Sequence, residues 1–150
     1  MEEVKTIEAQ SSEEKGFRWK TVPIDMLKRG VMEFIGSKED LLKALNEQFN
    51  GYAEVIEKVM EEDNIEPENY ALGYTFKVLP DALIWLPKEE KLGVSVHEIG
   101  HSIFHIFKQV EIPITDDTEE LFCYMLEYLF EQFYGWLMEK KENNEECYQK

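Results

Sequence analysis

The segment from Thr118 to Glu139 constrains the fold most. Leu121, Phe122, Tyr124, Met125, Leu126, Tyr128, Leu129, Phe130, Phe133, Trp136 and Leu137 occupy nearly every side of a helix drawn through it. A helix apolar all round must be wrapped by other elements or by a partner. The spacing therefore predicts a central core helix, or one half of a homodimer interface. Asp116 or Asp117 is placed to cap it.

The rest of the chain must supply the wrapping. Val31–Ile35 alternates and stops at Gly36, which predicts a short strand. Ser37, with Asp40 three residues on, reads as a helix-opening box. Leu41, Leu42, Leu45, Phe49 and Tyr52 then recur at helical spacing, and the helix either runs on or restarts after Asn50-Gly51, to about Met60. Tyr70–Leu79 carries Leu72, Tyr74, Phe76 and Val78 on one face, a second strand. Pro80-Asp81 is a turn, and Ala82–Leu86 a third strand in hairpin with it. Pro87 on its margin suggests a sheet edge. A further helix spans about Val94 to Lys108. The expected class is α+β: a small sheet of about three strands, an N-terminal helix and a packed pair of C-terminal helices.

At 150 residues this is one domain. Residues 1–16 read as a flexible polar leader, 17–138 as the domain and 139–150 as a flexible tail. With 32 Asp and Glu against 16 Lys and Arg, the net charge is −16, which argues against nucleic acid and against an anionic membrane surface. It leaves a basic protein partner, or a neutral or peptide ligand. Cys123 and Cys147 have no Cys-x-x-Cys spacing and fit a reducing compartment. With no apolar targeting or membrane-spanning run, the expectation is a cytoplasmic protein.

Two of the three histidines lie in His97-Glu98-Ile99-Gly100-His101. Four residues apart on a helix, His97 and His101 share a face and can converge on one zinc ion. Glu98 stands beside them as a general base for metal-bound water. The alternative is two satisfied histidines and a surface glutamate. Gly100 costs helix stability and so suggests an element packed close against this helix. A catalytic zinc takes a third protein ligand. Glu120, opening the next helix, is the first candidate, ahead of Glu119 and Asp117. The competing explanation for an acid there is capping. His105 and Tyr124, each four residues beyond a candidate ligand, are candidates for an oxyanion or supporting role, or are core residues. Leu83, Ile84 and Trp85 form the strand to which an extended peptide would add, or are simply a hairpin margin.

The run from His97 to His105, with Glu119 to Leu126, resembles the zincin-like metallopeptidases of gluzincin type. It is similar to the short ImmA/IrrE forms and to small zincin-like proteins of phages and prophages. The likeness covers roughly residues 70–137. It implies zinc held by His97, His101 and Glu120, with Glu98 as base and a peptide or protein substrate. The ImmA/IrrE pattern continues after the glutamate with Ala-Asn and a small residue, where this chain has Leu121, Phe122 and Cys123. Two other functions compete. One is a non-catalytic scaffold whose acidic surface engages a basic host protein. The other is a structural protein in which the motif is coincidental.

Overall fold

The computed structural model describes residues 11–14, 17–48, 51–63, 73–77, 81–87 and 92–148. The class is α+β, as the pattern of elements predicts. Among these residues five strands form one sheet: β1 (Ser11–Glu14), β2 (Phe17–Ile24), β3 (Arg29–Ile35), β4 (Tyr74–Phe76) and β5 (Ala82–Leu86). Two helices, α1 (Lys38–Gln48) and α2 (Tyr52–Glu62), cover one face; α3 (Leu92–Gln109) and α4 (Glu119–Tyr148) cover the other.

The sheet order is β1-β2-β3-β5-β4. β1/β2, β2/β3 and β4/β5 are antiparallel, while β3 and β5 run parallel, with Glu33 opposite Ile84 and Phe34 opposite Trp85. A parallel neighbour needs a crossover, and α1–α2 supply it. Helices on both faces explain why β3 is buried from Gly30 to Ile35, including Glu33 at the position where alternation would put a solvent-facing side chain.

Two strands go beyond the sequence expectation. β2 carries Arg18, Lys20 and Pro23, which break a simple strand pattern. Among the described residues β1 reaches only as far as Lys20, so Pro23 meets a ladder partner on the β3 side alone. Residues 11–14, expected within a flexible leader, pair with β2. The expected strand Tyr70–Leu79 is limited in the described residues to Tyr74–Phe76. Leu72 and Val78 lie outside them. Tyr74 and Phe76 do share the α1–α2 face.

The position of β5 corrects an expectation. Ala82–Leu86 lies between β3 and β4, and all five residues are buried. Leu83, Ile84 and Trp85 therefore have ladder partners on both sides and cannot accept an added strand. Pro87 falls just past the strand and removes no ladder bond.

Local chemistry accounts for the helix ends. Ser37 Oγ accepts the Asp40 N–H at 3.1 Å, the N-terminal cap of α1. Gly51, at φ +92, separates α1 from α2, so the helix restarts rather than continuing. α4 extends through residue 148, where a tail was expected from 139.

The two cores lie on either side of the sheet. Against α1–α2 pack Phe17, Trp19, Phe34, Leu41, Leu45, Ile56, Phe76 and Trp85. Against α3–α4 pack Val22, Val31, Ile84, Ile99, Ile103, Ile106, Met125, Leu129, Phe133 and Trp136. α4 thus buries one stripe and leaves Tyr124, Tyr128 and Tyr134 exposed on the other side. Arg18 fastens it to β2. Its guanidinium donates to the Trp136 carbonyl at 2.9 Å and sits 4.5 Å over the indole centroid. Among the described residues no helix is long and apolar enough to cross a membrane.

Candidate functional site

α3 carries the His-Glu-x-x-His motif along the solvent side of the sheet's α3–α4 layer. Its inward face is apolar, through Ile99, Ile103, Ile106 and Phe107. That burial leaves His97 and His101 exposed on the outer face. Their Nε2 atoms are 3.2 Å apart, with ring centroids at 4.8 Å and an interplanar angle of 77°. The separation is a hydrogen-bond length for a neutral pair. It is also the span of a tetrahedral edge for Zn–N bonds of about 2.0–2.1 Å, which comes to about 3.3 Å. The pair therefore fits two positions of a zinc site.

Glu98 takes a different direction. It is buried, and its carboxylate accepts a hydrogen bond from Thr75 Oγ1 on the edge strand β4. The same hydroxyl lies 3.1 Å from the Glu98 carbonyl oxygen, which also accepts from Ser102 Oγ at 3.1 Å. The candidate base is thus anchored to the strand that ends the sheet. Gly73, just before β4, lies close against this corner. A Cβ there would fall 2.9 Å from Leu86 Cδ2 and 3.0 Å from Val94 Cγ1.

A buried acid lies beneath the helix. Glu33 on β3 is fully enclosed, and Ser95 Oγ donates to its Oε2 at 3.1 Å while Oε1 has no partner. Burial raises its pKa from 4.5 to about 7. The Ser95 hydrogen bond and the charge of Arg18 oppose the rise, and the charge of Glu98 adds to it. Sequence reading missed Glu33, Thr75 and Ser95 because each is an ordinary residue in its own segment. Only the pairing of β3, β4 and α3 brings them to the motif.

The other expected site residues lie elsewhere. Glu119 and Glu120 open α4 and are exposed, as is Asp117 before it. Phe122, just after them, packs on Phe104 and Phe107, with ring centroids at 5.3 and 6.1 Å. α4 then runs antiparallel to α3 toward Arg18. Its first turn consequently sits at the C-terminal end of α3, away from His97 and His101. Among the described residues, no group of three or more His, Cys, Asp and Glu side chains could hold a metal ion. The structure therefore brings the two histidines together without Glu120. Tyr124 is exposed and lines a hollow with Met26 and Tyr128 beside the β2–β3 turn. His105 lies one turn beyond His101, buried near Asp81. Among the described residues no element packs close against Gly100, contrary to the expectation, because a Cβ there would meet nothing within 4 Å.

Comparisons of the chain with protein-family models, with curated proteins and with solved structures returned no match.

Proposed function

We propose that the chain is a zincin-type metallopeptidase in which His97 and His101 hold a zinc ion and Glu98 is the general base. The observation that carries this reading is the 3.2 Å approach of the two Nε2 atoms, with the motif glutamate next in sequence. Bound zinc supplies a water of pKa near 7 and a Lewis acid for a peptide carbonyl. The histidines account for two of the three protein ligands usual in a catalytic site, and Glu120 is not placed to be the third. Glu98 holds or releases a proton at its carboxylate, and Thr75 fixes where that carboxylate stands. An extended substrate would add to the outer edge of β4 rather than to β5, which puts its backbone next to the strand that anchors Glu98.

The test is zinc uptake by the full chain at neutral pH, read by equilibrium dialysis and metal analysis. About one zinc per chain is expected, lost in His97→Ala and in His101→Ala. Glu98→Gln should keep the metal and lose hydrolysis of an unfolded protein substrate. Absence of zinc uptake, or hydrolysis indifferent to Glu98→Gln, would refute the reading.

A second reading draws support from the net charge of −16 together with the exposed Tyr124, Tyr128 and Tyr134. In it the scaffold binds a basic protein without hydrolysis. Such a complex would weaken with salt and survive both Glu98→Gln and His97→Ala.

A further inference from the structure

The outward side of α4 interleaves acids with aromatic rings. Glu120, Tyr124, Glu127, Glu131 and Tyr134 are all exposed, and their spacing puts them on one line along the helix. At 1.5 Å per residue that line is about 21 Å long. Tyr124 is 60% exposed, a large ring left in solvent when the same helix buries Met125 and Leu129 on its other side.

At the Tyr124 end the line meets the hollow beside the β2–β3 turn. This hollow, about 320 Å³, is walled by Pro23, Met26, Leu121, Tyr124, Met125 and Tyr128, with Asp25 also lining it. Tyr128 is held upright there, its hydroxyl donating to the Pro23 carbonyl at 3.0 Å. Met26 is 74% exposed. The space is at the small end of ligand-site volumes and suits one apolar side chain.

The charge on this side is of one sign. From Gln109 to Met138 the chain holds seven Asp and Glu and no Lys or Arg. The outer face of α2 differs. It exposes Glu54, Glu57 and Glu61, but Lys58 stands among them and pairs with Glu62 at 4.0 Å. Among the described residues no ion pair involves Glu120, Glu127 or Glu131. Lys20, reaching α4 from β2, donates to the Gln132 carbonyl at 3.0 Å.

We propose that this face docks a basic segment of a partner protein, with one apolar side chain in the hollow and arginines along Glu127, Glu131 and Tyr134. Arginine suits the line better than lysine, because a planar guanidinium can lie on a tyrosine ring while it donates to a carboxylate. The buried side of the same helix already shows the ring contact, with Arg18 4.5 Å over Trp136. A second copy is the wrong occupant, since a two-fold pairing would set acids against acids. Such docking rests on the reading of the chain as a binder of basic protein, and needs no metal at His97 and His101.

The test titrates the full chain, at low salt, with the peptide acetyl-Leu-Ser-Arg-Ser-Arg amide and follows NMR shifts. In an extended peptide the two arginines stand about 6.6 Å apart, close to the rise of about 6 Å from Glu127 to Glu131. Shifts should concentrate at 24–26 and 120–134. The peptide with Lys for both arginines should bind about threefold more weakly, and the one with Ser for Leu about tenfold more weakly. Tyr124→Ala, and Glu127→Gln combined with Glu131→Gln, are surface changes that should each weaken binding several-fold. Glu57→Gln combined with Glu61→Gln removes the same charge from α2 and should change binding by less than about twofold. An equal loss from the α2 pair, shifts centred elsewhere, equal binding of the lysine peptide or indifference to the leucine would overturn this surface, while leaving a basic partner to be bound at another. No shift with either cationic peptide would overturn both.

Discussion

Replacing Glu33 by Gln should stabilise the protein, and should do so more as the pH rises. The side chain is completely buried, and its pKa is raised from 4.5 to about 7. Between those values the folded protein holds a proton that the unfolded chain has released. Stability from this group is therefore fully present below about pH 4.5, falls as pH rises, and is lost above about pH 7. Each tenfold change in a proton equilibrium is about 1.4 kcal/mol, so ionising Glu33 in place costs the fold about 3 kcal/mol. Gln keeps an oxygen for the Ser95 hydroxyl and puts an amide where Oε1 now has no partner. That replacement carries its own energy, but one that does not change with pH. The quantity to measure is therefore a double difference: urea unfolding of both proteins at pH 5.5 and pH 8. The gain from Glu33→Gln should be larger at pH 8 by about 2 kcal/mol. Repulsion among the many surface carboxylates acts on both proteins and cancels. A gap that is constant, or that narrows toward pH 8, would refute the assignment of a raised pKa to this carboxyl.

Other changes probe the frame around it. Gly100→Ala, with open space at the new Cβ, should raise stability by about 0.5–1 kcal/mol in thermal unfolding, the ordinary helix preference for Ala. Leu129→Ala empties a fully buried position between α4 and the sheet, and denaturant titration should show a loss of about 3 kcal/mol. Thr75→Val keeps the shape but withdraws the hydroxyl from the Glu98 carboxylate; a loss of about 1–3 kcal/mol is expected, largely restored by Thr75→Ser.

Legibility in the sequence followed the range of the interactions. α1, α3 and α4 were readable because an apolar repeat and a cap are local, and Ser37 does cap α1. The β4–β5 hairpin was readable for the same reason. β2 was not, because Arg18 and Lys20 earn their places by contacts with α4, from a different end of the chain. The interior position of β5 depends on its parallel pairing with β3, across the whole α1–α2 crossover, and a proline past its end resembled an edge signal. At the site, the convergence of His97 and His101 follows from helix geometry alone. Glu120 does not join them because an antiparallel α4 begins where α3 ends, and an acid in a first turn needs no ligand to explain it. The Glu98–Thr75 link and the enclosure of Glu33 are tertiary facts with no local signature.

The bond from Arg18 to the Trp136 carbonyl spans 118 residues. β2 and β3 can pair as a hairpin soon after they are made, yet the apolar face formed by Val22, Ile24 and Val31 is covered in part by Met125, Leu129 and Phe133. At about 5–20 residues per second, a ribosome delivers that cover on the order of ten seconds after the face it belongs to. The nascent chain thus carries a half-built sheet with one bare side through most of its synthesis. Its yield in a cell then depends on how that side is shielded before the last helix arrives.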